Sequence, residues 1–436
     1  MRDLLLSAIV FGALPLILYR PHIGALMWVW IGMMNPHLLT FGFAARIPFA
    51  QLVALTTLVG FAFTRRKQAF PLNTITALLV SFFLWMCVTR IFALNTDDVV
   101  NEMWGRVFKI QLMLWVTLML ISGRRQIDQL IWTIAVSIGY YGVKGGVFTA
   151  LTGGAHRVWG PQGSFIGGNN ELALALVVLI PLLYYLWSTN THRWLRHGLL
   201  FAICTCALAA LGSHSRGALL AITAMVAFLI VKSGRQVTLL LLAPLVGAIL
   251  LFVMPESWWA RMETIETYQE DTSAMARLHT WRMVWTLALD RPIVGAGFDL
   301  SNPLLYHLYA ENKEVTAHAA HSIYFQALGE HGFVGLALYL CLGYTSWRWA
   351  AKLARKTGNA ETDCWVPQLM RMVQTSMIGF AVGGAFLGLL HFDLPYYLIG
   401  LIVLARREMH ATTAGGAAPA AEPPATGLTH HGDPLK

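Results

Sequence analysis

Long runs of apolar residues recur along the whole chain, and their length decides which class of fold is open to it. Most are about 15 to 24 residues long, close to the roughly 20 residues that a helix needs to cross a bilayer. Backbone groups in hydrocarbon must satisfy their own hydrogen bonds, so these runs are predicted to be helices. The predicted spans cover residues 4–19, 22–35, 47–63, 72–94, 107–122, 127–150, 171–187, 198–213, 217–231, 237–254, 333–350, 368–390 and 394–405.

The overall composition excludes a soluble domain. Of 436 residues, 56% are hydrophobic and only 12% are charged. A soluble domain of this length could not cover so much apolar surface. The runs at 22–35 and 394–405 are short enough to be half-helices, which leaves 12 or 13 crossings. We therefore predict an all-α fold, a polytopic membrane helical bundle of about 12 transmembrane helices.

One long polar segment interrupts the apolar runs and divides the chain. Residues 1–254 are predicted to form transmembrane helices with short loops, and residues 255–332 a large, mostly helical periplasmic loop. Residues 333–410 are predicted to form the C-terminal transmembrane helices. Residues 411–436 are rich in Ala, Gly and Pro and are predicted to be a disordered cytoplasmic tail.

Within the long loop, capping residues and apolar spacing predict three helices. The first is capped by Thr272 or Ser273 and ends at Arg291-Pro292. A second short helix runs from Pro303 through Tyr309, and a third from about His318 to Leu328, with a break at residues 329–332.

Basic residues at the ends of the apolar runs indicate the orientation. They fall at alternate connections, which the positive-inside rule assigns to the cytoplasm. The marked connections carry Arg65-Arg66-Lys67, Arg124-Arg125, Arg193 with Arg196, Lys232 with Arg235, Lys352 with Arg355 and Lys356, and Arg406-Arg407. The net charge of +9 is therefore a topology signal and does not predict a nucleic-acid partner. The turn at Ser213–Arg216 and the long loop face outward.

Two arginines on the outward side are candidate anion-binding residues. Arg216 lies in a turn between two apolar runs, where a charge needs an anion, a cavity or water; a snorkelling side chain is the alternative. Arg277 precedes Trp281 by four residues, so the two share a helix face. A salt bridge within the acidic loop is the alternative for Arg277. Arg282 points about 140° away from Arg277 round the same helix.

Histidines supply the candidate base. His318 and His321 are one helical turn apart on the predicted third helix, but no further metal ligand accompanies them, so no metal is predicted. A general base or a helix-capping role for His321 is favoured. No Walker A or Rossmann motif is present, so no nucleotide cofactor is expected. The five cysteines lie in or beside apolar runs and predict no disulfide framework.

Four short motifs, taken in order, resemble the O-antigen ligase and O-antigen polymerase superfamily of bacterial envelopes. They are Ser215-Arg216-Gly217, Arg277 with Trp281, Gly295 to Phe298, and His321 with Gln326, Glu330 and Gly332. The segment from Met34 to His37 also resembles ligases found in exosortase-associated loci. The family pattern has Asn after the histidine, whereas this chain has Ser322.

The resemblance implies an O-antigen ligase, a metal-independent inverting glycosyltransferase that needs no cofactor. Its donor would be an undecaprenyl diphosphate-linked glycan and its acceptor lipid A-core, at the periplasmic face of the bacterial inner membrane. By the same resemblance, His321, Arg216 and Arg277 are the expected catalytic residues, and the expected substrate-binding residues are Arg216, Arg277, Trp281, His318 and Arg282.

Three other functions stay open on the sequence. An O-antigen polymerase shares these motifs but uses a second lipid-linked glycan as acceptor, and a protein O-oligosaccharyltransferase is a further alternative. A transporter of anionic lipid would also place arginines in a bundle. Against it stand the large outer loop and the absence of paired half-length segments in the two halves.

Overall fold

A computed structural model describes residues 1–232, 247, 254–263, 272–311, 316–355 and 365–415. Within these ranges the regular structure is helical throughout, as the sequence predicts. The helices are α1 (Arg2–Tyr19), α2 (Pro21–Met34), α3 (Phe49–Phe63), α4 (Thr74–Ile91), α5 (Asp98–Leu120), α6 (Gly123–Leu151), α7 (Asn169–Thr189), α8 (Arg193–Gly212), α9 (Arg216–Lys232), α10 (Glu256–Glu263), α11 (Thr272–Asp290), α12 (Pro303–Tyr309), α13 (Ile323–Arg355), α14 (Trp365–Gly383) and α15 (Asp393–Gly415).

Seven of the described helices are long and apolar enough to cross a membrane. They are α1, α4, α5, α6, α7, α8 and α13. The protein is therefore a multi-pass membrane protein, while the total of about 12 crossings stays a prediction. The predicted span at 237–254 lies outside the described residues except for 247 and 254.

Helix α7 forms the centre of the bundle. Most of its side chains are buried, and it packs against α6, α8, α9 and α14. Helix α1 lies at the edge, where Leu4, Leu5 and Ile9 are exposed although all three are large and apolar. Because lipid is as apolar as these side chains, exposure on the perimeter is the expected pattern for a bundle in a bilayer.

Two helices of the polar segment lie where the sequence predicts them, and the third does not. Helices α11 and α12 match the predicted elements. Helix α13 begins at Ile323 rather than at His318. Residues 316–321 have no regular structure. The predicted third helix is therefore wrong over its first turn, and His318 and His321 do not lie one helical turn apart.

The predicted break at residues 329–332 is confirmed as a kink in α13. Gly332 has φ of 67° and ψ of −174°, which are not helical. The loop after α11 docks into this kink: Ala296 N–H donates to Gly329 O at 2.8 Å and Gly297 N–H to Glu330 O at 2.9 Å. A Cβ on Gly332 would lie 2.3 Å from Ile293 O, so only glycine permits this approach.

The last two helices are joined by a buried connection. A short 3₁₀ turn (Gly384–Phe386) follows α14, and buried residues continue to the start of α15 at Asp393. Helix α15 continues to Gly415, past the predicted start of the tail at Ala411. Residues 416–436 lie outside the described part of the chain.

Candidate active site

An extended segment, residues 316–321, carries the predicted base and is held by two aromatic side chains. The indole Nε1–H of Trp281 on α11 donates to Ala320 O at 2.7 Å. The hydroxyl of Tyr306 on α12 donates to His318 O at 2.9 Å. Two carbonyls of the segment are thus bonded to side chains of neighbouring helices, which explains why the segment does not continue the helix.

His321 itself has an unusual backbone conformation. Its φ is 43°, in the left-handed region that side chains other than glycine rarely adopt. Ser322 follows as the cap of α13, with its Oγ accepting from Phe325 N–H at 3.5 Å. Such strained residues persist where surrounding contacts over-determine them, and they concentrate at functional sites. The strain supports a functional role for His321.

The electrostatic surroundings of His321 keep it neutral. Burial, the positive charge of Arg277 and the nearby His318 together lower the pKa of His321 to about 4, with burial the largest cause. An imidazole with this pKa is a free base near neutral pH and can accept a proton. The structure therefore brings Arg277, His318 and His321 into one electrostatic neighbourhood.

Glu171 joins this neighbourhood, although the sequence did not single it out. It lies in the first turn of α7, half-buried, and its carboxylate interacts electrostatically with Arg277. It follows the polar stretch Gly167-Gly168-Asn169-Asn170 at the start of an apolar span. An acid at that position is the sequence signal that could have identified it.

The turn that holds Arg216 is built into the same end of the bundle. Ser213 O accepts a hydrogen bond of 2.7 Å from Asn169 Nδ2, which ties the turn to the start of α7. Ser215 Oγ accepts from Ala218 N–H at 3.3 Å and caps α9. Arg216 is the first residue of α9 and is half-buried. Arg216 thus begins a helix, and a helix N-terminus is a position that favours anions.

Two aromatic side chains, Phe386 and Trp281, lie between the Arg216 turn and the His321 segment. A side chain at Gly217 would meet Phe386 Cβ at 3.7 Å. The Phe386 ring centroid lies 6.5 Å from that of Trp281, and Trp281 stacks on Phe325 at 4.9 Å with the ring planes 6° apart. Trp281 therefore positions the segment, and its predicted contact with substrate stays a prediction.

The remaining predicted residues lie on the outside. His318 is exposed beside His321. Arg282 is exposed on another face of α11 and forms an ion pair of 3.7 Å with Glu311. The predicted substrate-binding roles of both residues stay predictions. The arrangement as a whole provides guanidinium groups for an anion and a neutral imidazole for proton transfer.

Comparison with known families identifies two matching regions in the chain. Residues 200–340 match a family described as O-antigen ligase. This match supports membership of the chain in the O-antigen ligase superfamily. All four motifs of the resemblance lie inside the matched region, so the recognition from sequence is confirmed. Of the residues of the candidate active site, Glu171 lies outside that region.

The first part of the chain matches a second family. Residues 1–191 match a family of unknown function (DUF5935). No curated protein matched the chain. Because Glu171 belongs to the second family match and Arg277 to the first, the candidate active site combines residues from both.

Proposed function

We propose that this protein is an O-antigen ligase of the bacterial inner membrane. It transfers a glycan from undecaprenyl diphosphate to lipid A-core at the periplasmic face. The observation that carries this proposal is the electrostatic effect of Arg277 on a half-buried, neutral His321. Transfer from a lipid diphosphate needs both a cationic partner for the leaving group and a base for the acceptor.

The arginines serve the diphosphate. A guanidinium stays charged at any physiological pH and binds phosphate oxygens with two parallel hydrogen bonds. Arg277 and Arg216 bind the diphosphate of the donor and stabilise its charge as the glycosidic bond breaks. Glu171 and Arg277 attract each other, which orients the guanidinium before substrate arrives.

His321 serves the acceptor. Its neutral imidazole accepts the proton of the acceptor hydroxyl while that oxygen attacks the anomeric carbon. The attack comes from the face opposite the diphosphate, so the anomeric configuration inverts. The donor bond supplies the driving force, so neither nucleotide nor metal takes part in the step.

The glycan that accumulates in a deletion strain tests the acceptor. Loss of a ligase leaves long glycan on undecaprenyl diphosphate and unmodified lipid A-core. Loss of a polymerase would leave single repeat units, and an unchanged lipopolysaccharide would exclude both. Expression of the wild-type chain from a plasmid should restore the polymer on lipid A-core, and expression of a His321→Ala chain should not.

Purified components test the reaction directly. The full-length protein in detergent with lipid-linked donor and lipid A-core should form product without ATP. Glycan transfer to a protein or to a second lipid-linked glycan, with none to lipid A-core, would replace the proposed acceptor with one of the alternatives.

A further inference from the structure

A cluster of three ionisable side chains lies buried in the bundle and takes no part in the proposed reaction. Glu330 and His331 occupy the kink of α13, and His391 lies between α14 and α15. At most 3% of each residue is exposed. One nitrogen or oxygen atom from each lies within 4.8 Å of the other two.

The contacts of Thr89 favour one tautomer of His331. Thr89 Oγ1 lies 3.1 Å from Met86 O, a carbonyl that can only accept, and 2.8 Å from His331 Nδ1. Both contacts are hydrogen bonds when Thr89 donates its one proton to Met86 O and accepts from His331 Nδ1–H. In that tautomer of the neutral imidazole, the lone pair is on Nε2.

This lone pair has no hydrogen-bond partner. His331 Nε2 is buried, makes no hydrogen bond, and lies 3.6 Å from Glu330 Oε2. Two groups that both present lone pairs to each other in a buried site repel, and an unpaired buried polar atom is costly. A cation between them removes both penalties.

Glu330 presents a buried negative charge to the same point. Its Oε1 accepts from Gln326 Nε2 at 3.1 Å, and the Gln326 amide is oriented by Leu390 N–H, which donates to Gln326 Oε1 at 3.2 Å. Its Oε2 lies 2.7 Å from His391 Nε2. Among the described residues, no lysine or arginine forms an ion pair with Glu330.

We propose that Glu330, His331 and His391 bind a divalent transition-metal ion, with zinc the best match to these donors. Two imidazoles and one carboxylate form a common zinc ligand set, with water as the fourth ligand. The 3.6 Å between His331 Nε2 and Glu330 Oε2 is close to the separation of two ligands about 2 Å from one ion.

One proposed ligand, His331, has an outer-shell partner. A ligating histidine donates its other ring N–H to a neighbouring oxygen, as His331 does to Thr89. Phe298 packs its ring against both imidazoles, with centroids 5.2 Å from each. The ion joins the kink of α13 to the segment before α15. The proposed proton transfer at His321 does not use this ion.

Metal analysis of the purified full-length protein tests the site. The protein is prepared with a purification tag that contains no histidine, and its metal content is measured by mass spectrometry. We expect about one zinc ion per chain. Glu330→Gln and His391→Gln should lose the ion. His307→Gln, which changes an exposed histidine on α12, should retain it.

Two further measurements apply if a variant fails to fold. X-ray absorption at the zinc edge of the wild-type protein should show nitrogen and oxygen ligands at about 2.0–2.1 Å with imidazole scattering. A strong chelator should lower the melting temperature of the wild type and of His307→Gln. Folded wild-type protein without bound metal would overturn the proposal. A Glu330→Gln protein that keeps its zinc would overturn it as well.

Discussion

His321 combines a strained backbone, a half-buried imidazole and a cationic neighbour. The strain and the burial come from packing, because Trp281 and Tyr306 fix the carbonyls of the preceding residues. The cationic neighbour is Arg277, which lies near enough to lower the pKa of His321. At the scale of single residues, the proposed role of the arginines in binding the donor and that of His321 in accepting a proton can therefore be tested by separate substitutions.

Substitution of each group should produce a different defect. His321→Ala should leave donor binding nearly intact and lower the single-turnover rate by about 10²- to 10⁴-fold. Arg277→Ala and Arg216→Ala should weaken donor binding as well as turnover. Arg→Lys at the same two positions should also weaken donor binding and turnover, because an ammonium cannot form the two parallel hydrogen bonds of a guanidinium. Donor affinity and single-turnover rate are measured on the same folded preparations.

Arg348→Lys serves as the control for this series. Arg348 is exposed near the C-terminal end of α13, about 24 Å along the helix axis from the kink, so its substitution should change neither quantity. Loss of donor binding in His321→Ala, combined with unchanged binding in Arg277→Ala, would reverse the assigned roles.

The pKa of His321 predicts the acid limb of the pH profile. Because its pKa is about 4, the imidazole is a free base at neutral pH and is protonated only as the pH approaches that value. The single-turnover rate should stay level from about pH 8 to pH 5 and fall below it, whereas an ordinary histidine would lose activity near 6.5. In Arg277→Gln the residual activity should fall at a higher pH, since a positive neighbour has been removed.

Acid also affects the folded state, and the control must separate the two effects. The unfolded chain protonates His321 near 6.5 and the folded chain only near 4. Lowering the pH between these values therefore favours unfolding. Tryptophan fluorescence at each pH identifies the range in which the protein stays folded. A midpoint near 6.5 within that range would argue against His321 as the base.

At the scale of helices, close contact between backbones holds the bundle together. Gly146 on α6 faces α8, where an added Cβ would lie 2.2 Å from Thr205 O. Gly142, four residues earlier, faces Cys206 of α8 in the same way. Small residues at this spacing let membrane helices approach closely and gain van der Waals contact.

Alanine at Gly146 should therefore destabilise the fold. The overpacked contact should cost about 1–3 kcal/mol. Gly198→Ala on α8 is the matched control, because nothing lies within 4 Å of its added Cβ. That change should be neutral or stabilising by up to about 1 kcal/mol, since alanine is the better helix former. Melting temperatures in one detergent compare the two, and equal values would contradict the predicted α6–α8 contact.

At the scale of the whole molecule, the orientation in the membrane determines which lipids can reach the candidate active site. The alternation of basic connections predicts that residues 255–320 face the periplasm and that Arg193 and Arg196 face the cytoplasm. A lipid-linked donor then reaches His321 from the outer leaflet.

Labelling of single cysteines tests this orientation in cells. The five native cysteines are first replaced by serine. A reagent that does not cross the inner membrane should label His307→Cys on α12 and fail to label Thr191→Cys before α8; both positions are exposed. Permeabilised cells provide the control, because both positions should then react. The reverse pattern in intact cells would place the candidate active site on the cytoplasmic side.

The sequence by itself determined the features that depend on local pattern. Apolar runs of membrane-spanning length predicted the helical class, and capping residues predicted α11 and α12. The stretch from Gly329 to Gly332 predicted the kink of α13. Four short motifs indicated the superfamily. These features lie within one element, or in the order of residues along the chain, so the sequence alone could show them.

Only the tertiary structure decided which residues meet. Trp281 and Tyr306 bond to the carbonyls of Ala320 and His318 and override the helical pattern that the sequence shows there. Glu171 approaches Arg277 although the two are distant in the chain. His391 reaches Glu330 in the same way. Such contacts depend on how helices pack, and no periodicity within a helix records which neighbour its side chains will meet.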